Sequence, residues 1–355
     1  MDELNTYKDI YKTLTAKKFA FIILGLIAIV ILAVFASFQG AADIKRTEVL
    51  SVIIQKAFPF FNLEPSKMAD TIVWQLRLPQ ILMAIIAGAG LAVSGAAMQG
   101  ITRNPLVSPF TVGVSAGAAL GAAVAIVLGA SIASSGKYFI ISNAFIFALG
   151  AAFLVLGISR LRGVSSETII LAGIAIMYII SAFVSLLQYI ATKEELHALV
   201  HWMFGTLSTG GWDMLPIVGI LTLLVTLGIS KYSWDLNAMA SGEDVAKGLG
   251  VNTTRTRNVV MVLATLATAG IICFTGIIGF ICLMSPHITR TLIGADHRFL
   301  FPGSCIVGAF LLLASDTVGR TIIAPTVIPV GIVVAFLGGP FFLYLLITRR
   351  KQYWQ

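Results

Sequence analysis

Charge is what this sequence has least of. Only 11% of its 355 residues are Asp, Glu, Lys or Arg, less than half of the roughly 25% found in a soluble domain. Cysteine is scarce too. Cys273, Cys282 and Cys305 fall in or beside apolar runs with no metal-type or disulfide-type spacing, and read as small buried apolar residues. No G-x-x-x-x-G-K-[ST] loop occurs, and its nearest approach, Gly129 to Lys137, has the wrong spacing. The chain therefore cannot hydrolyse ATP by a P-loop. No Ser/His/Asp or Cys/His arrangement stands at a motif spacing, so nothing supports a membrane enzyme or calls for a cofactor. Carriers coupled to protons or ions need ionisable groups within the membrane. Here only Asp316 lies well inside an apolar run, with Arg320 one turn on. An internal ion pair near a helix end accounts for these two as well as a relay does.

What is abundant is apolar length: 58% of residues are hydrophobic and 33 are glycine. A bilayer crossing takes about 20 apolar residues. The runs predict ten spans: 19–38, 79–101, 109–130, 138–159, 168–190, 213–230, 258–277, 278–293, 302–319 and 328–347. The eighth is short, and its join to the seventh at Thr275-Gly276-Ile277-Ile278-Gly279 is the weakest boundary. The first run exceeds a signal-peptide core and lacks an A-x-A-like cleavage site, which predicts a retained helix. The expected organisation is an all-α polytopic membrane protein. It comprises an N-terminal tail 1–18, a single transmembrane domain 19–347 and a C-terminal tail 348–355, with the stretch 39–78 as an external loop containing an amphipathic piece.

Ten spans put both termini on one side. Of the 24 Lys and Arg residues, eight would then lie outside: Lys45, Arg46, Lys56, Lys67, Arg77, Lys137, Lys193 and Arg320. The other 16 would share the side of the termini, which the positive-inside rule makes cytoplasmic. The net charge of +8 is thus spread between spans to orient the chain and is no nucleic-acid patch. Glycine and alanine recur every four residues at Gly88, Ala92, Ala96 and Gly100, and again at Gly113, Gly117 and Gly121. Such faces let helix backbones approach closely.

One polar interruption, Lys231 to Asn258, faces the cytoplasm in this arrangement. Ser241 and Asp244 have the S-x-x-D spacing of a helix cap, and Gly248 and Gly250 supply stop signals. Val245 and Leu249 sit four apart on one side, while Glu243 and Lys247 can pair on another. A short capped helix hung between spans is a shape for docking a partner. On the external side, His197 and His201 also stand four apart, after Glu194 and Glu195. That spacing can hold a metal or a haem iron, and a solvated loop helix explains it too. His287 and His297 flank a cytoplasmic turn and read as structural.

Several phrases together resemble one family. They are Trp74-Gln75-Leu76-Arg77-Leu78-Pro79-Gln80; Gly95-Ala96-Ala97-Met98-Gln99 through Asn104-Pro105-Leu106 to Gly113-Val114-Ser115-Ala116-Gly117; Gly242-Glu243 through Ala246 to Leu249-Gly250; Gly279-Phe280-Ile281 through Pro286-His287-Ile288-Thr289-Arg290 and Asp296-His297-Arg298 to Pro302; and Pro329-Val330-Gly331-Ile332 through Gly338-Gly339-Pro340-Phe341-Phe342. From about residue 70 onward the chain resembles the permeases of binding-protein-dependent ABC importers for iron–siderophore, haem and vitamin B12, the type II importers. The resemblance implies ten helices per subunit, two copies around one pathway, two cytoplasmic ATPases and an external binding protein. The substrate it implies is a metal chelate, with ferric siderophore leading and corrinoid, haem or molybdate as alternatives. It places Gly242, Glu243, Val245, Ala246, Leu249 and Gly250 in a coupling helix for the ATPase. Asn104 and Leu106, and Ser165 and Ser166, match cytoplasmic gates of the vitamin B12 member. Arg77 and Arg320 match external arginines that meet the binding protein, where Gln80 replaces a third. Val245, Ala246 and Leu249 are expected to enter a groove on the ATPase.

Overall fold

The computed structural model describes residues 2–42, 44–61, 63–132, 138–161 and 165–348, with side chains from Lys12 onward except those of 346 and 348. The expected tail 348–355 lies outside them apart from the backbone of residue 348. Every regular element among the described residues is helical. Helix α1 (Asp2–Phe38) starts well before residue 19, so the expected tail is its first turns. The 39–78 stretch carries the foreseen amphipathic piece, α2 (Arg46–Ala57). Its Val49 and Val52 pack with Ala69 and Val73 into a small core of their own. Then α3 (Lys67–Asp70) runs through a π-helical turn, Thr71–Arg77, into α4 (Leu78–Thr102).

Nine further apolar or linking helices follow in the anticipated order: α5 (Val114–Leu128), α6 (Tyr138–Leu161), α7 (Ser166–Ile190), the short α8 (Lys193–Met203) and α9 (Leu215–Ser230), then α12 (Thr253–Thr275), α13 (Ile281–Ile293), α14 (His297–Thr321) and α15 (Val330–Thr348). Between α9 and α12 lie α10 (Ser233–Ala240) and α11 (Glu243–Gly248). Six of these segments are long and apolar enough to cross a membrane alone, and α9 with α10 forms a seventh bent by 51°. Helices α5 and α15 are apolar but shorter.

The eighth expected span is the exception in kind. At about 1.5 Å per residue, the 13 residues of α13 reach only about 20 Å. The missing length is non-helical chain from Gly276 to Phe280. Exposed polar backbone is intolerable in lipid unless protein covers it, and this stretch is covered. Thr206 N–H donates to Thr275 O at 2.7 Å, and Gly331 N–H to Gly205 O at 3.4 Å. A β-carbon at Gly205, Gly276 or Gly331 would collide with a neighbouring carbonyl, so three bare backbones meet there.

Packing centres on α4, whose span is the most buried, at 78% of its apolar window against 11% for α1. The small-residue faces work within this one chain. A β-carbon at Gly88 would strike the backbone of Gly308, and the reverse holds. Gly95 seats against Cys282, while Gly117 and Gly121 seat against the backbone of α6. Contacts also sort the two ends of the bundle. Lys18 meets Asp296 and Arg257 meets Ile101 at one end; Arg77 and Arg320 meet the chain after α1 at the other. We call these the inner and outer ends.

Candidate coupling and translocation site

At the inner end the polar interruption folds as two short helices, and α12 begins at Thr253, five residues before the expected span. The helix α11 is capped otherwise than its sequence suggests. Its N-cap is Gly242, at φ +127°, with no side-chain cap bond, and Ser241 instead closes α10. Gly250 turns the chain at φ +84°, a left-handed value that favours glycine. Glu243 anchors α11 from below. It pairs with Arg257 at 3.4 Å and Lys247 at 3.5 Å, and accepts from Thr253 Oγ1 at 3.2 Å. Burial alone would raise its carboxyl, but the Arg257 guanidinium, Thr253 and Lys247 hold it below the ordinary value.

The faces of α11 correct one expectation. Val245 and Leu249 are 51% and 70% exposed, whereas Ala246 is fully buried. With 3.6 residues per turn, Ala246 points about 100° away from Val245. It belongs to the chain's own buried core cluster, which also holds Ile101, Val260 and Met261. Ala246 therefore cannot enter a partner's groove, and the surface on offer is Val245 and Leu249.

Arg257 is the residue the sequence did not single out. It is buried, and its Nε donates to Ile101 O at 3.2 Å while its terminal nitrogen meets Glu243. Ile101 belongs to the last turn of α4, so α11 is tied through two side-chain contacts to the helix that ends in the expected gate turn. That turn starts at Arg103 in a left-handed conformation, φ 51°. Asn104 Oδ1 accepts from Leu106 N at 2.9 Å, and Gln99 Nε2 donates to Pro105 O at 2.8 Å. Leu106 is left 55% exposed at its tip. The second expected gate begins α7: Ser165 is its exposed N-cap, accepting from Thr168 N at 3.1 Å, with Ser166 the first helical residue. Both turns lie at the inner end, and Gly173 of α7 seats against Thr111 just beyond the first one.

A second inner cluster holds α10 to α14. Asn237 donates to Asp296 Oδ1 at 2.8 Å and accepts from His297 N at 2.9 Å. Arg298 lies on Asp296 at 2.6 Å and over the Trp234 ring at 4.3 Å. Partial burial opposes ionisation of Asp296, but bonds from Arg298 and Asn237 prevail and set its pKa at about 2.

At the outer end, the three expected docking residues come together but turn inward. Arg77 and Arg320 are 5% and 4% exposed. Arg77 donates to the carbonyls of Ser37 and Ala42. Arg320 pairs with Asp316 at 2.9 Å and donates to Gln39 O at 3.3 Å, and Gln80 donates to Asp316 at 2.7 Å. These side chains bind the chain that leaves α1. Arg77, Gln80 and Arg320, expected as docking residues, are thus turned into the fold and present little surface at the outer end.

Two concavities face outward. One is about 250 Å³, between α5 and α7, lined by Ser115, Met177, Ser181, Ser185, Gln188 and Met203 among others. Ser181 and Ser185 are exposed on this face. The other, about 450 Å³, lies at the outer end under α8 and includes His197 and His201.

Comparison with known proteins agrees with this architecture. Residues 26–348 match the FecCD transport family, and the chain belongs to that family. A protein of Methanocaldococcus jannaschii named as an ABC transporter permease is 42% identical over 96% of this chain and 98% of its own. The hemin transport system permease protein HmuU of Yersinia pestis is 37% identical over 79% of this chain and 84% of its own. Other relatives are named for cobalamin, iron(III)-citrate and molybdate import. A solved structure described as an inward-facing conformation of a metal-chelate type ABC transporter superposes with a TM-score of 0.79, at 33% identity, over 92% of this chain and 99% of that one. The chain is thus an ABC importer permease, a multi-pass helical membrane protein.

Proposed function

We propose that two copies of this chain enclose a pathway on their two-fold axis and import a metal chelate, driven by two separate cytoplasmic ATPases and fed by an external binding protein. The observation that carries the reading is α11. Two exposed apolar side chains stand at the inner end on a helix whose other faces are fixed to α12 by Glu243–Arg257 and to α4 by Arg257–Ile101. A force applied at Val245 and Leu249 therefore reaches the Asn104–Leu106 turn through the half-exposed Glu243 and the buried Arg257 and Ile101, without passing through a flexible loop. Closing and parting of the ATPases would move that turn and the start of α7 together. Both termini lie in the cytoplasm in this reading, by the distribution of Lys and Arg. The substrate we favour is a ferric siderophore, with corrinoid, haem and molybdate as the alternatives that relatives' names provide.

The polar lining of the groove at Ser181, Ser185 and Gln188 supports α7 as a wall of the pathway. Only 22% of the apolar window of α7 is buried in one chain, which leaves room for both lipid and a second copy. The test is reconstitution in liposomes with the cognate ATPase and binding protein. Uptake that requires ATP and both partners, with two copies of the chain per particle by native mass, is expected. Equal uptake without the ATPase, or by a one-copy particle, would overturn the reading.

A further inference from the structure

The buried charged side chains Arg77, Arg257, Asp316 and Arg320 all hold the fold together. His197 and His201 do not. Of its four histidines, His287 and His297 are buried at the inner end, at 7% and 3% exposure. His197 and His201 are exposed on α8 and both border the 450 Å³ outer cavity. The helix that carries them is firmly placed. Thr192 and Glu195 close a capping box at its start, and Leu199 is buried on its opposite side. Residues four apart on a helix hold their β-carbons roughly 5–6 Å apart, which lets two imidazoles converge on one centre at ordinary metal–nitrogen distances of about 2.0–2.1 Å.

We propose that this pair is a metal contact in the mouth of the pathway, for a transition-metal centre that keeps at least one exchangeable coordination position. The inference rests on the importer reading and narrows its substrate class, from the ferric siderophores favoured above to those with an open coordination position and to metalloporphyrins. Among the described residues no group of three or more His, Cys, Asp or Glu could hold a metal. Structural zinc takes four protein ligands and catalytic zinc three, so two imidazoles cannot close a resident site. They suit a metal that arrives carrying most of its ligands. A neutral imidazole nitrogen donates its lone pair to the metal, and the labile ligand it displaces, a water or an anion, leaves to solvent. No electron is transferred. The rest of the cavity matches such a cargo: Ile126, Ile140, Trp202 and Phe274 offer apolar and aromatic wall, and Thr206 and Thr209 offer hydroxyls. A hexadentate ferric siderophore leaves no position for imidazole, so the pair favours open chelates, which both imidazoles can meet, and metalloporphyrins, whose accessible axial face takes one of them, over saturated ones.

The test is binding to the purified chain in nanodiscs, carrying no histidine tag, because no other imidazole is exposed to confuse the result. Haemin is titrated and followed by its Soret band, and Ni2+ by calorimetry. His197→Gln, His201→Gln and the double variant are compared with the parent, as is a saturated tri-catecholate ferric chelate. The expected result is saturable binding of haemin or Ni2+ at one site, with none of the saturated chelate. Removing an outer-shell partner already costs roughly 10–100-fold in metal affinity, so the double variant should lose at least that. If only Ni2+ binds, the cargo is a small open chelate; if haemin binds, it is a metalloporphyrin. The proposal is overturned if neither probe binds, or if binding survives unchanged in the double variant. Stimulation of the ATPase partner by this chain, measured in the same preparations, reads the importer assignment separately.

Discussion

Truncating the two exposed apolar residues of α11 gives the sharpest test of how this chain is driven. Val245→Ala removes two carbons and Leu249→Ala three, and these side chains are 51% and 70% exposed. Weighting the lost groups by the surface still available for burial, at about 0.8 kcal/mol per buried methylene, gives roughly 2.5 kcal/mol for the pair. At about 1.4 kcal/mol per decade that is a 50- to 100-fold loss in affinity for the ATPase. Because both side chains already face solvent, the fold should lose little, and thermal unfolding of the double variant should stay close to the parent. The assay is binding of the detergent-purified chain to immobilised ATPase, followed by ATP-driven uptake. An unchanged affinity in a normally folded double variant would refute α11 as the docking element. Ala246→Arg would be a poor substitute, since a fully buried alanine cannot accept an arginine without disturbing the chain's own core.

The link from α11 to the gate turn predicts that Arg257→Met will lower uptake per ATP hydrolysed while leaving ATPase binding intact; equal loss of both would refute it. At the outer end, Arg320→Met should destabilise the chain by about 3–5 kcal/mol, because Asp316 is left buried and unpaired, and an additional Asp316→Leu should restore part of that in thermal unfolding. Gly308→Val forces side-chain atoms into the backbone of Gly88, so little folded protein should survive detergent extraction, whereas Gly248→Ala, with open space around it, should be tolerated. Asp296, at about 2 when folded and about 3.9 when unfolded, adds stability above pH 4 that fades as pH falls through 4 towards 2. The stability gap between the parent and Asp296→Asn should therefore shrink between pH 7 and pH 3.

The order of the apolar helices was legible because a crossing needs length and apolarity, and both are written in one dimension. The eighth crossing was blurred for a physical reason. Its outer part, Gly276 to Phe280, is not helical, and only three-dimensional cover from the segments at Gly205 and Gly331 makes that permissible. Side-chain direction was less legible still. In α11 the pairing of Val245 with Leu249 follows from spacing alone, but Ala246 is small and apolar and fits either a partner's groove or the chain's own core. Nothing local decides between them. Arg77 and Arg320 sit at the outer ends of crossings, where a charge is expected to reach water. Both instead reach across to carbonyls of the 37–42 turn, which no spacing within α4 or α14 reveals. For Arg257 there was a signal: an arginine within the first turns of an apolar helix, one turn past Thr253, needs a partner or an exit.

Placement then separates the polar residues of this chain into two groups. Arg77, Arg257, Asp316 and Arg320 are buried and hydrogen-bonded, and breaking the Asp316–Arg320 pair leaves an uncompensated charge at low dielectric. They hold helix ends in register, so that α4 and α14 behave as stiff members. Leu106, Val245 and Leu249, with Ser165 and the histidines of α8, are the exposed groups at turns and short helices, and Ser181 and Ser185 line the groove beside α7. Stiff members with contact groups confined to their ends are what a driven pathway requires, since displacement at α11 is useful only if it is not absorbed between Arg257 and Asn104. The Glu243–Arg257–Ile101 chain is short and mostly buried, so it transmits rather than yields. That is why a substitution at Arg257 should separate hydrolysis from transport, while truncating Val245 and Leu249 together should lower both by weakening the hold on the partner.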